Sequence, residues 1–166
     1  MNKVIEVIGT IITAIIGIVI VIVFIPFLII IFPLYIIRSY TFEKRYSKFL
    51  NKNEGANLFV YNNRKDIHYY VEKNILPKIN TQIDIVFLEG DTPNSKFKRE
   101  FISHILNNLN DYQQYPHLIK LRKGQVIDQS INNLFYNVVS QTNTQEDLFN
   151  LMHQFFELQN SGFRIP

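Results

Sequence analysis

The chain has 166 residues, contains no cysteine and carries a formal net charge of +3 at pH 7. The lack of cysteine excludes disulfides, thiolate chemistry, iron–sulfur clusters and cysteine-ligated zinc within this chain. The charge is unevenly distributed, because residues 1–52 carry a net charge of +4 and residues 53–166 a net charge of −1. A nucleic-acid-binding domain concentrates lysine and arginine on its folded part, so we expect no nucleic-acid partner.

An uncharged, mostly apolar run of 31 residues extends over positions 7–37. A membrane-spanning helix needs about 20 such residues, whereas a cleaved signal sequence has an apolar region of only about 7–15. We therefore interpret residues 1–37 as a transmembrane segment. A continuous helix over this run would measure about 46 Å, against a hydrocarbon core of about 30 Å. A single tilted or kinked span is the favoured arrangement, and a hairpin that bends near Pro26 is the alternative.

The segment that follows, residues 38–56, is basic and aromatic, and we interpret it as a juxtamembrane linker. Its first part, residues 38–52, has five basic residues and one acidic residue, and the positive-inside rule then places residues 38–166 in the cytoplasm. We expect the lipid bilayer to be contacted through headgroups by Arg38, Tyr40, Lys44, Arg45 and Lys48. The same interpretation places four further apolar side chains on lipid, those of Phe42, Tyr46, Phe49 and Leu50.

Residues 57–160 are predicted to form one α/β domain, and residues 161–166 a loose tail. Strands and helices alternate in its first half, which is typical of parallel β-α-β units. In chain order the predicted elements are a strand at 58–61, a helix at 66–79 with Asp66 as its N-cap, a strand at 83–88, a loop at 90–94 and a helix at 95–109.

The second half of the domain changes from parallel units to a hairpin. Residues 115–121 and 125–128 predict two strands joined by a tight turn at Gly124. A short helix is predicted at 131–139, and a last helix opens with a capping-box pattern at Thr144.

This order of elements resembles the thioredoxin-like fold over residues 57–159. The most specific part is Pro116-x-Leu118 leading into a strand, followed by Lys123-Gly124-Gln125-Val126, which is similar to the proline-strand-turn-strand segment of that family. The resemblance implies a cis peptide bond between Tyr115 and Pro116, with the proline facing the site. It also implies a mixed sheet flanked by helices.

The chain departs from that family at its redox motif. Where the family carries Cys-x-x-Cys, this chain has Asn62-Asn63-Arg64-Lys65. Thiol–disulfide exchange is therefore excluded. Non-catalytic relatives use the same surface for partner binding, so the resemblance implies an interaction module in which Tyr115 and Pro116 share that surface.

The C-terminal ends of the two parallel strands are the usual place for a ligand in an α/β sheet. They carry Asn62, Asn63, Arg64 and Lys65 on one strand and Glu89 and Asp91 on the other. The cations are compatible with an anion site at a helix N-terminus, and the carboxylates with an acid–base pair or a metal site. Ordinary loop polarity explains both sets as well. The four histidines form no H-E-x-x-H motif and are interpreted as structural, so we assign no catalytic residue, metal or cofactor.

The sequence thus predicts an α/β protein with an N-terminal transmembrane helix and a small thioredoxin-like domain. The favoured function is a membrane-anchored, redox-inactive protein-interaction module. One alternative is a membrane-anchored enzyme whose site is built from Arg64, Glu89 and Asp91. Another is an oligomerising membrane protein, because small residues such as Thr13 and Gly17 share one helix face and permit self-association.

Overall fold

The computed structural model describes residues 2–111 and 114–157, so the predicted loose tail lies outside the described residues. The first helix, α1 (Asn2–Lys52), contains the whole apolar run. Among the described residues it is the one helix long and apolar enough to cross a membrane. It continues through Pro26 and Pro33 without interruption, so this part of the chain is a single helix and not the alternative hairpin.

Five strands form one mixed sheet in the order β3-β2-β1-β4-β5. The central strand β1 is parallel to β2 and antiparallel to β4, and each outer strand is antiparallel to its neighbour. The strands are β1 (Asn57–Asn62), β2 (Ile83–Glu89), β3 (Thr92–Asn94), β4 (His117–Arg122) and β5 (Gln125–Ser130). The α/β class and the four predicted strands are confirmed.

The strand β3 corrects the prediction of a loop at 90–94. These residues turn back at Gly90, where φ is +61°, and Thr92 pairs with Glu89 of β2. Pro93 lies within this short strand. A proline is tolerated there because an edge strand does not need every backbone N–H for pairing.

Four shorter helices cover the sheet. They are α2 (Lys65–Tyr70), which continues as a π turn (Val71–Ile75) and a 3-10 turn (Leu76–Lys78), α3 (Arg99–Asn107), α4 (Asn132–Val139) and α5 (Gln145–Phe156). The N-cap of α2 is Arg64 and not Asp66, so the cap lies two residues earlier than predicted. The capping box at Thr144 is confirmed.

The two faces of the sheet carry separate hydrophobic clusters. Alternate residues of β1 point to opposite sides, so Phe59 and Tyr61 pack on the face covered by α2, α4 and α5. Leu58 and Val60 pack on the face covered by α3 and the end of α1. This alternation follows from the period of two along a strand.

The end of α1 belongs to this second cluster, which corrects the prediction that Tyr46, Phe49 and Leu50 lie on lipid. The Phe49 ring stacks on that of Phe101, with centroids 4.7 Å apart, and Leu50 is buried. The chain divides into two compact units between Arg45 and Tyr46. The predicted linker is therefore helical as far as Lys52, because α3 offers these side chains an apolar surface that their sequence alone does not reveal.

Candidate functional site

Three chain segments meet at one end of the strands, where β1 and β2 finish and β4 begins. β1 and β2 run parallel and end side by side, with Asn62 opposite Leu88. β4 runs the other way and begins at this end, with His117 opposite Val60. We call the loops that continue from these strand ends the site edge, which consists of residues 62–65, 89–91 and 114–116. The site edge contains all eight residues predicted for a ligand or partner surface: Asn62, Asn63, Arg64, Lys65, Glu89, Asp91, Tyr115 and Pro116.

Arg64 connects two of these loops. Its Nη1 donates a hydrogen bond to Oε1 of Gln114, at a distance of 2.8 Å. The backbone N–H of Asn63 donates to the carbonyl of Leu88 at 3.1 Å, which holds the start of the same loop against β2. Asn63, Arg64 and Lys65 are exposed. The loop after β1 is therefore polar, faces the solvent and is tied to the segment before β4.

A cleft of about 580 Å³ opens beside the site edge, between the end of β2 and the second half of α3. Asp91 and Tyr115 both line it, and Leu88, Leu106 and Leu109 supply apolar lining. The structure therefore brings together two predicted site residues that lie far apart in the sequence.

The carboxylates Glu89 and Asp91 are both exposed. The Arg64 guanidinium bonds to Gln114 and to neither carboxylate. In residues 2–111 and 114–157, no group of three or more His, Asp or Glu side chains is arranged to hold a metal ion. Arg64 is therefore not joined to Glu89 or to Asp91 by a hydrogen bond or an ion pair.

Tyr61 lies close to the end of β1, on the sheet face opposite to the one that carries the cleft. Its hydroxyl donates a hydrogen bond to Oε1 of Glu72 at 2.5 Å. Burial raises the pKa of Tyr61, and the hydrogen bond and negative charge of Glu72 raise it further. The ring of His68 stacks on the Tyr61 ring, with centroids 6.2 Å apart. Tyr61 therefore remains protonated at neutral pH and acts as a buried donor.

The peptide bond between Tyr115 and Pro116 is cis, as predicted. Pro116 is buried, and its carbonyl accepts a hydrogen bond from the N–H of Ile131 at 3.2 Å. Pro116 thus lies beneath the surface of the site edge, whereas Tyr115 is half-buried and reaches the cleft.

A buried ionisable pair lies directly behind this loop. His117 has no exposed surface and the side chain of Asp128 is 1 % exposed, with 3.2 Å between Nε2 and Oδ2. Burial opposes the ionisation of Asp128. The effect of burial is outweighed by hydrogen bonds to the carboxylate, so the pKa of Asp128 is lowered. The donors are the backbone N–H groups of Asp111 and Asn110, the His117 ring and the Asn110 side chain. Asp128 is therefore an ionised acceptor at neutral pH.

This pair is absent from the sequence-based expectations, which treat His117 only as a structural histidine. The register of the β4–β5 hairpin is the sequence feature from which this pair could have been predicted. A two-residue turn places Arg122 opposite Gln125 and hence His117 opposite Ser130. His117 is then a diagonal neighbour of Asp128 on the same sheet face, within reach of a long side chain.

The five residues predicted to contact lipid headgroups all lie on α1 and are exposed: Arg38, Tyr40, Lys44, Arg45 and Lys48. Tyr40 is among the most exposed large side chains of the chain, with 70 % of its surface accessible. Their exposure leaves them available for contact with lipid or water.

No known protein family, no curated protein and no solved structure matches this chain.

Proposed function

We propose that this protein is a membrane-anchored interaction module, in which α1 inserts into a bilayer and a thioredoxin-like domain without redox chemistry binds a protein partner through the site edge. The observation that carries this proposal is the contact between Arg64 and Gln114. It builds one continuous polar surface from the loop after β1 and the segment before β4.

The strand arrangement supports the thioredoxin-like interpretation. A parallel β1–β2 pair stands beside an antiparallel β4–β5 hairpin, and helices cover both faces. Open α/β sheets bind ligands outside the C-terminal ends of their parallel strands. Asn62, Asn63, Arg64 and Lys65 occupy that place here, and they offer hydrogen bonds and charge but no thiolate.

The membrane part of the proposal rests on composition. The apolar run of α1 has no buried side chain in its most hydropathic stretch, and bilayer insertion would cover this surface. The basic flank after the run favours a cytoplasmic position for the domain. Arg38, Lys44 and Arg45 would then meet anionic headgroups on that side.

Site-specific photo-crosslinking in intact cells tests the partner surface. A photoreactive amino acid is placed at Asn63 or Lys65 of the site edge, and at Gln125, an exposed residue on the hairpin at the opposite end of the strands, as the matched control. We expect discrete adducts from the two site-edge positions and none from Gln125. The absence of site-edge adducts, or equal adducts from Gln125, would contradict the proposal.

Cysteine accessibility tests the orientation. The chain has no cysteine of its own, so single cysteines at Asn2, Asn53 and Asn94 report without background. We expect an impermeant thiol reagent to label position 2 from outside, and positions 53 and 94 only after the membrane is opened. Labelling of position 94 from outside would place the domain on the other side of the membrane.

A further inference from the structure

The buried pair His117–Asp128 is connected to the loop that presents the site edge. Asp128 lies on β5, yet its carboxylate accepts hydrogen bonds from the loop between α3 and β4 as well as from His117. The Oδ1 atom accepts from the backbone N–H and from Nδ2 of Asn110, both at 3.1 Å, and Oδ2 accepts from the N–H of Asp111 at 3.0 Å. One carboxylate thus fixes the beginning of the loop between α3 and β4.

The end of the same loop is fixed to the end of β5. Asp111 accepts a hydrogen bond from the N–H of Ser130 at 2.9 Å, and the Ser130 hydroxyl donates to the carbonyl of Gln114 at 3.3 Å. The N–H of Ile131 donates to the carbonyl of Pro116 at 3.2 Å. Next to these anchors, Gln114 accepts the hydrogen bond from Arg64 and Tyr115 lines the cleft.

The geometry also decides which ring nitrogen of His117 carries the proton. An ionised carboxylate accepts hydrogen bonds and cannot donate them, so Nε2 must be the protonated donor. The Nδ1 atom is buried and has no hydrogen-bond partner among the described residues.

We propose that His117 and Asp128 are the positioning residues of the site edge: together they hold Gln114 and Tyr115 in the arrangement that binds the partner. This role rests on the proposed function for its meaning, but its structural consequence is independent of any partner. If the pair is weakened, the loop before β4 loosens while the sheet remains intact.

Hydrogen–deuterium exchange of the full chain in lipid nanodiscs tests this role. Asp128→Asn removes the charge from an acceptor of four hydrogen bonds, and charge-assisted bonds are about twice as strong as neutral ones. We expect peptides over residues 108–118 to exchange about tenfold faster in this variant, and peptides of β1 to be unchanged. The matched control is Thr144→Ala, which weakens α5 at a distance from the loop.

Two substitutions of His117 separate hydrogen bonding from space filling. Glutamine carries its amide nitrogen near the position of Nε2, whereas the shorter asparagine reaches only the position of Nδ1. We expect His117→Gln to keep the loop protected and His117→Asn to lose that protection. Equal exchange in these two variants, or loop exchange in Asp128→Asn that rises no more than in Thr144→Ala, would overturn the proposal.

A measurement on the unmodified chain keeps the test valid even if a variant fails to fold. Ring ¹⁵N chemical shifts of ¹⁵N-histidine-labelled protein should show a proton on Nε2 of His117, whose signals are assigned through the contact between its ring and the Tyr115 ring, with centroids 6.3 Å apart. A His117 ring without a proton on Nε2 would refute the arrangement. Absent crosslinks together with a confirmed loop anchor would instead contradict only the proposed function.

Discussion

The ammonium group of Lys120, on the central part of β4, donates a hydrogen bond to the carbonyl oxygen of Phe155 at a distance of 2.8 Å. Only 9 % of Lys120 is exposed. Its ammonium also binds the carboxylate of Glu157, and it lies over the Phe155 ring at 5.1 Å from the centroid. A nearly buried cation thus meets the negative end of α5, where the last carbonyls of a helix lack partners.

Lys120→Met should destabilise the domain, because it leaves the Phe155 carbonyl without its donor while it preserves most of the side-chain volume. Removing a buried hydrogen bond to a charged group costs about 1.5–3 kcal/mol. Denaturant unfolding followed by the near-UV circular dichroism of tyrosine would measure this loss. Lys123 is an exposed lysine on the adjacent turn, and Lys123→Met should change the free energy of unfolding by less than about 0.5 kcal/mol. Equal effects of both substitutions would argue against the helix-end contact.

Stability at acidic pH should depend on Asp128. Its pKa in the folded chain lies below the ordinary value of 3.8, so its contribution is fully present above the unfolded pKa and is lost as pH falls through the folded pKa. We expect the unfolding free energy of the unmodified chain to fall more steeply below about pH 4 than that of Asp128→Asn. Glu54, Asp147 and Glu157 also have lowered pKa values but are present in both proteins, so the difference isolates Asp128. Parallel pH curves would disagree with this assignment.

The domain should require the last turns of α1. A chain that begins at residue 46 keeps Phe49 and Leu50, whereas a chain that begins at residue 57 exposes the apolar surface of α3 that they cover. Burial of a large apolar side chain contributes about 1.5–3 kcal/mol, so we expect cooperative unfolding from the longer chain and a loss of several kcal/mol from the shorter one. Urea titration of the two chains would measure this difference in the free energy of unfolding. Equal midpoints would mean that these residues are a linker after all.

The capping box of α5 should be worth about 1 kcal/mol. The Thr144 hydroxyl oxygen accepts from the N–H of Asp147 at 3.2 Å, and the Asp147 carboxylate accepts from the Thr144 N–H at 2.9 Å. Thr144→Ala removes the first of these bonds, whereas Thr144→Ser preserves both. Thermal unfolding should therefore separate the two variants, and a serine variant as unstable as the alanine variant would point to loss of the threonine methyl group instead.

Gly124 should tolerate alanine less well than Gly90, although both have a positive φ, +67° and +61°. A Cβ atom at Gly124 would lie 3.0 Å from Oδ1 of Asn51, whereas at Gly90 no such atom lies within 4 Å. The left-handed backbone alone costs an alanine about 1–2 kcal/mol. In denaturant unfolding, Gly124→Ala should cost more than this, and adding Asn51→Ala should bring its cost down to that of Gly90→Ala. If the second substitution has no effect, the contact with Asn51 is not responsible.

Local patterns predicted the elements whose stability is decided by neighbouring residues. The apolar strands β1 and β2 and the cap at Thr144 follow from spacing within a few positions. The strand β3 was missed because its pairing with β2 includes Pro93, a residue that argues against a strand when it is considered alone. The candidate site was predicted as a set of loops, but the contact from Arg64 to Gln114 was not, because it joins residues 50 positions apart.

The sequence by itself determined that residues 7–37 are an uncharged apolar helix, that no thiol chemistry is available, and where the central strands lie. These properties depend on composition and on period, which any short window of the chain contains. Only the tertiary structure decided that Phe49 belongs to the domain core and that Lys120 is buried against the end of α5. Both outcomes depend on which surface a distant segment offers, and burial of a side chain is a property of that partner surface as much as of the side chain.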